Sequence, residues 1–259
     1  MKVVTWNLNS IRAREDRLLG WLSRQNPDVV CLQETKVTDE QFPHEAVKER
    51  GYHAAVHGQR TYNGVAILSR EPIEDVRIGF GDGADDPQAR CICGMIQGVR
   101  FISVYVPNGS TVESDKYVYK QEWLERLFVY LDRTHAPGTP LLISGDFNIA
   151  PDVADVAEPD EWRGTVLFNP DMTGVMTRLA EWGLQDVVRI HNPDPGLYSW
   201  WDYRQLAFPR NQGLRIDHIL ATPELASRST SAGVDRDERK GSKPSDHAPV
   251  MAELDWPQG

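Results

Sequence analysis

Short apolar runs recur along this chain between turn signals, and they predict strands. The runs are residues 2–6, 28–32, 52–57, 64–69, 90–96, 100–106, 140–144, 215–222, 229–234 and 248–254. Three longer stretches carry helical spacing instead. Residues 11–25 put Leu18, Leu19 and Leu22 on one face and end before Asn26-Pro27. Residues 117–133 place Tyr119, Trp123, Leu127 and Tyr130 on a stripe, and residues 172–182 stop at Gly183. Strands outnumber helices, and the two types alternate. That predicts the α/β class, with packed sheets layered between helices. No short repeat or low-complexity segment breaks the pattern. Residues 82–87 and 151–160 are acidic loops without linker character, so residues 1–259 read as a single domain.

Composition adds limits. Apolar residues make up 40% and charged residues 25%, an ordinary globular balance, so the chain can build a core without staples. The three cysteines, Cys31, Cys91 and Cys93, are odd in number and show no CxxC spacing. They read as buried free thiols in a reducing compartment, which points to the cytoplasm. The N-terminus lacks the basic-then-apolar pattern of a leader, and no apolar segment approaches the roughly 18 residues of a membrane span. The net charge of −10 argues against indiscriminate binding to nucleic acid. Arg236, Arg239, Lys240 and Lys243 nevertheless cluster within one short segment. Any contact with DNA should therefore be local, on an otherwise acidic surface.

Polar residues gather where the predicted strands end, and such junctions are where sites are usually built. Asn7, in Thr5-Trp6-Asn7-Leu8-Asn9-Ser10, offers an amide oxygen. Glu34 follows a buried run and can ligate a hard cation. Tyr105 carries a phenol that can donate to a phosphate. In Ile143-Ser144-Gly145-Asp146-Phe147-Asn148 a strand runs into a carboxylate and an amide two residues apart. Extended geometry would turn both to one side, a pair suited to activating and orienting water. Asp217 sits inside an apolar strand, where a carboxylate needs a partner such as an imidazolium or a metal. Asp246-His247 occupies a loop–strand junction, and a histidine paired with a distant aspartate is a recurring catalytic device. Singly, each has an ordinary reading as a turn, loop or core residue. Together they supply oxygen ligands for Mg²⁺, a candidate base and donors for a phosphate. Without soft sulfur ligands, hard-cation chemistry on a phosphate ester fits better than zinc hydrolysis.

Seven segments, in order, resemble the motifs of the exonuclease III family of abasic-site endonucleases, within the endonuclease/exonuclease/phosphatase superfamily. They are Trp6-Asn7-Leu8-Asn9-Ser10-Ile11-Arg12-Ala13, Leu32-Gln33-Glu34-Thr35-Lys36, Tyr105-Val106-Pro107-Asn108-Gly109, Gly145-Asp146-Phe147-Asn148-Ile149-Ala150-Pro151, Tyr198-Ser199-Trp200-Trp201-Asp202-Tyr203-Arg204, Leu214-Arg215-Ile216-Asp217 and Ser245-Asp246-His247-Ala248-Pro249-Val250. The similarity runs nearly end to end, and the Ser-Trp-Trp-Asp-Tyr-Arg segment points to the DNA-repair branch. A relative acting on a small phosphorylated substrate is the alternative reading.

The resemblance implies a four-layer α/β sandwich, with two packed mixed β-sheets flanked by helices and the site at one edge. It implies a monomeric hydrolase using Mg²⁺, with Mn²⁺ as a substitute. The substrate would be double-stranded DNA with abasic sites or blocked 3′ ends. Cleavage would fall 5′ to the abasic site, beside 3′→5′ exonuclease activity. Asn7 and Glu34 would hold the metal with Asp246 nearby, and Asp146 and Asn148 would touch a second ion. Asp146 would activate water and Asn148 would orient it. Asp217 would pair with His247, and His247 and Tyr105 would bind the phosphate. Whether Asp146 or His247 is the base stays open at this level. Trp200 and Trp201 would wall a small apolar pocket for a sugar without its base. Arg90, Asn108 and Lys243 would contact the DNA. Asn9 and Asn108 differ from the aspartate and glutamine of some relatives, which bears on the balance between endonuclease and exonuclease activity.

Overall fold

The computed structural model describes residues 1–84 and 86–256. Among these lie strands β1 (Lys2–Asn7), β2 (Val29–Gln33), β3 (His53–His57), β4 (Val65–Ser69), β5 (Glu74–Ile78) and β6 (Cys91–Ile96). Then come β7 (Val99–Tyr105), β8 (Leu141–Asp146), β9 (Gln185–Asp186), β10 (Asp217–Ala221), β11 (Ser229–Val234) and β12 (Val250–Leu254). They form two six-stranded sheets, ordered β11-β12-β1-β2-β4-β3 and β5-β6-β7-β8-β10-β9. Each sheet has one parallel pair at its centre, β1–β2 and β7–β8, among antiparallel neighbours. Parallel strands need a crossover, and a helix supplies each one: Ile11–Gln25 in the first sheet and Asp115–Thr134 in the second.

The strands alternate between two buried faces, which is why they read as continuous apolar runs. Val3, Val29, Cys31 and Ile67 meet Ile92, Phe101, Leu142 and Ile219 between the sheets. Val4, Trp6, Val30 and Leu32 turn outward onto Leu18, Trp21 and Leu22 of the first helix. The second sheet turns Ile102, Ile143 and Leu220 toward the helices Asp115–Thr134 and Pro170–Trp182. This is the helix–sheet–sheet–helix layering that the resemblance implied. Local signals set the helix ends. Ser114 caps one helix through Tyr117 N–H at 3.3 Å, and Asn169 caps another ahead of Pro170. The first helix ends at Asn26 in the left-handed region, just before Pro27.

Several expectations need correction. In Asp115–Thr134 the core-facing stripe runs through Tyr117, Lys120, Trp123, Leu127 and Leu131, while Tyr119 sits on its half-exposed shoulder. A lysine thus occupies a core position. β5 carried no apolar signal because all five of its residues are exposed at a sheet edge. Arg215 precedes β10 and pairs its N–H with the Asp155 carbonyl instead of joining the strand. At the end of β8, a Cβ on Gly145 would lie 1.9 Å from the Val104 carbonyl oxygen, so only glycine lets β8 approach β7.

Candidate active site

The two parallel pairs bring their C-terminal ends together. β1 ends at Asn7, β2 is followed by Glu34, β7 ends at Tyr105 and β8 ends at Asp146. Asn7 joins the sheets: its Nδ2 donates to Glu34 Oε1 and to Asp146 Oδ2, each at 2.9 Å. Asp217, at the start of β10, pairs in register with Asp146. His247 lies on Asp217, its Nδ1 donating to Oδ2 at 2.8 Å, and its Nε2 stands 3.7 Å from Asp146 Oδ2. Ser199 Oγ donates to Asp217 Oδ2 at 2.6 Å and takes the Asp217 N–H, so Ser199 and His247 together hold this carboxylate.

Asn148 reaches the site by a different route from strand alternation. Its φ of 51° is left-handed, and its N–H turns back to Asp146 Oδ1 at 2.9 Å. Its amide is fixed by Val106 O and by Nδ2 of Asn108, each at 3.0 Å. Asp246 accepts from Asn9 Nδ2 and Trp200 Nε1, one on each oxygen at 3.0 Å.

The electrostatics follow from burial. Asp146 is pushed up to about 7, chiefly by loss of water, with Asp217 and Glu34 adding to the effect and His247 opposing it. Burial alone would lower His247, but Asp217 and Asp146 outweigh it and hold the imidazole protonated up to about 10. Tyr105 is raised well above its ordinary value by burial and by Glu34 and Asp146, so it stays a neutral donor. Burial opposes the charge of Asp246, yet His247 and the Trp200 and Asn9 bonds hold its carboxyl low.

The donor set suits a hard cation. Asp146, Asp217 and His247 present ligand atoms within 4.8 Å of one another. Asp217 is already taken by Ser199 and His247, which leaves Asp146 as the available member. Asp146 and Glu34 share a single neutral donor, Asn7. Lys36 pairs with Glu34 at 2.8 Å and His247 is shared by Asp146 and Asp217, so three carboxylates face two cations and leave negative charge that a divalent ion would meet. The oxygen of Asn7 accepts from the Asn9 N–H, so a ligand role for it would need the amide turned over.

The expected substrate contacts divide. Arg90 stacks 4.6 Å over the Tyr105 ring and donates to the Tyr105 carbonyl. With Tyr62, Asn108 and Lys116, these two residues line a groove of about 550 Å³. Trp200 is half-buried, bridges Leu214 and His247 through its backbone, and meets Trp162 edge to face. Trp201 is fully buried against Phe208 and presents no surface to a ligand, so the structure does not give it the expected wall position. Lys243 is exposed, with its carbonyl held by Arg14. The basic cluster is partly consumed. Arg239 is buried and binds the Ser245 and Trp201 carbonyls, and Lys240 pairs with Asp237.

Residue-by-residue reading overlooked Ser199, Lys36 and Lys120. Lys36 bonds Asn9 Oδ1 and Glu34, linking the two loops of the first sheet. Lys120 donates to the carbonyls of Asn108, Asn148 and Val166. Burial pushes it down to about 7 against the pull of Asp146. Its signal was a lysine in an apolar stripe.

Carboxylates joined across two sheets, a protonated histidine and a neutral phenol define a site for hydrolysing phosphate esters. The chain belongs to the Endonuclease/Exonuclease/phosphatase family, whose sequence profile matches residues 4–247. It is 38% identical to exodeoxyribonuclease III of Haemophilus influenzae over 98% of this chain and 100% of that protein. An AP endonuclease from Archaeoglobus fulgidus superposes with a TM-score of 0.96 at 40% identity, covering 99% of this chain and 100% of the other. The 3′ phosphatase NExo from Neisseria, bound to a product DNA hairpin, does so with a TM-score of 0.95 at 40% identity and the same coverage.

Proposed function

We propose that this chain is a Mg²⁺-dependent DNA-repair phosphodiesterase. It nicks duplex DNA 5′ to abasic sites and trims or cleans 3′ ends. The reading takes residues 1–259 as one domain acting as a monomer in the cytoplasm, and the three free buried thiols support a reducing compartment. The observation that carries it is the line Asp217–His247–Asp146 at the joint of the sheets, with Asn7 bridging Asp146 to Glu34. Full-length similarity to an exodeoxyribonuclease, an AP endonuclease and a DNA-bound 3′ phosphatase supports DNA as the substrate.

Asp146 takes a proton from water as the water oxygen attacks phosphorus. The bond from phosphorus to the 3′-oxygen breaks, and that oxygen takes a proton from solvent, leaving a 3′-hydroxyl and a 5′-deoxyribose phosphate. Asn148 orients the water. His247 is flanked by two carboxylates and keeps its proton, so it serves as a donor to the phosphate beside Tyr105, and the base is Asp146. Glu34 and Asp146 would hold the Mg²⁺, with Asp246, Asn7 and Asn148 as further oxygen donors. When bound, the ion offsets charge on the phosphate and on the leaving oxygen. Arg90, Asn108 and Lys243 contact the strand, and Trp200 walls the sugar pocket.

The test is a labelled duplex carrying one tetrahydrofuran abasic analogue, incubated with Mg²⁺ or EDTA. A single Mg²⁺-dependent nick 5′ to the analogue is expected. Shortening from the 3′ end without a nick would remove the pocket role from Trp200. No cleavage with any divalent metal would overturn the proposal.

A further inference from the structure

Lys120 lies three residues after Tyr117 and three before Trp123, on the core face of its helix, with its side chain fully buried. An ammonium without water must find its partners in the protein. Its Nζ stands 2.7 Å from Asn148 O, 2.7 Å from Val166 O and 3.2 Å from Asn108 O. Three protons meet three carbonyls, which uses the whole donor capacity of the group. None is left for a substrate.

The carbonyls come from three separate segments: the loop after β7, the loop after β8, and the turn that leads into the helix Pro170–Trp182. Two of them belong to the asparagines whose amides bond each other at the site. Asn148 is left-handed, a backbone conformation that the surroundings must hold in place. Its peptide is pinned at both ends, by Asp146 at the N–H and by Lys120 at the carbonyl. The space is closed as well. A Cβ on Gly109 would lie 3.3 Å from Lys120 Cδ and 3.2 Å from Val166 and Tyr117.

We propose that Lys120 is a positioning residue for the hydrolysis: it ties the Asn108 and Asn148 backbones to one point, so that both amides face the attacked phosphate. It acts through the asparagines and touches no reacting atom. The inference rests on the functional reading above, and its test separates the two.

The variants are Lys120→Met, Lys120→Gln and, as a control for helix packing alone, Leu127→Ala. Each is measured for kcat, KM, melting temperature and the side-chain amide signals of Asn108 and Asn148 in ¹⁵N-labelled protein. Misplacement of catalytic groups by about 1 Å can cost on the order of 10²-fold, so Lys120→Met should lower kcat by about 30-fold or more with KM within about 3-fold. Lys120→Gln, which keeps two of the donors, should recover part of the loss. Both asparagine signals should move in Lys120→Met, whereas Leu127→Ala should melt earlier with its kcat kept. A kcat for Lys120→Met within about 3-fold of wild type would overturn the proposal. So would a loss that Leu127→Ala reproduces at equal folded fraction. Failure of the wild type to cut abasic DNA would sink the functional reading alone. The asparagine signals would still decide the clamp, and unmoved signals would refute it.

Discussion

β10 carries an aspartate and a histidine side by side, and they face opposite sides of the second sheet. On the inner face Asp217 receives Nδ1–H of His247, and Nε2 looks toward Asp146. On the outer face His218 shows the reverse pattern. Its Nε2 donates to the Ile149 carbonyl at 2.8 Å, and its Nδ1 accepts from Arg215 at 3.0 Å. Arg215 bonds Asp155 and Asp186, each at 2.7 Å, and Arg189 also reaches Asp155. Burial and Arg215 lower His218, so it remains neutral, while its counterpart His247 stays protonated up to about 10. The outer cluster balances two guanidiniums against two carboxylates and leaves no open valence. The inner one sets Asp146, Asp217 and Glu34 against two cations, the His247 imidazolium and the Lys36 ammonium on Glu34, and adjoins a groove through Tyr105. The same residue types hold the fold together where charge is closed and, in the proposed mechanism, do chemistry where it is left open.

The strongest way to break this contrast is Asp146→Asn, which should lower kcat by roughly 10²–10⁴, the scale of losing a general base, as read by steady-state cleavage of abasic duplex. In EDTA the same variant should melt at a higher temperature than wild type above pH 7. The sign follows from the raised carboxyl: the folded state holds its proton up to about 7, so ionising it costs stability as pH rises from the usual carboxylate range. Next, Asp217→Ala and His247→Ala should each cut kcat, and the double variant should be far from additive, because the two side chains act as one unit.

The pH profile sharpens the contrast further. The proposed mechanism needs Asp146 ionised and His247 protonated, so at low Mg²⁺ the rate should rise through about pH 7 and fall near pH 10. Saturating Mg²⁺ should move the lower limb to more acidic pH and leave the upper one in place. On the outer face, Arg215→Met should cost roughly 3–5 kcal/mol in denaturant unfolding, since it takes the cation from Asp186 and leaves buried Asp155 with Arg189 alone, with kcat kept per folded molecule. His218→Leu should cost less, about 1–3 kcal/mol, by orphaning the Ile149 carbonyl.

Much of this arrangement was legible in the sequence. Apolar runs located most of the strands because both faces of each sheet are covered, and the polar residues just past those runs form the site. What was hidden depended on who neutralises whom. Arg239 reads as a free charge in sequence, yet it is spent on two carbonyls. Trp200 and Trp201 are adjacent, but their backbone leaves one half-buried and buries the other completely. A Cβ on Gly213 would meet Trp201 Nε1 at 2.5 Å, so that closure needs glycine, which no periodicity reports. Asn148 was expected beside Asp146 by strand alternation and arrives there through a left-handed turn. Lys120 escaped notice because the helical stripe was phased on Tyr119, one position away from the buried face.

The most direct test places wild type, Asp146→Asn and Arg215→Met side by side on the abasic duplex with Mg²⁺, at a temperature where all three are folded. The account predicts a single nick from wild type and Arg215→Met at comparable rates, with almost none from Asp146→Asn. Equal cleavage by Asp146→Asn would contradict it, as would loss of cleavage in a folded Arg215→Met, because the inner and outer clusters of β10 would then not divide chemistry from architecture.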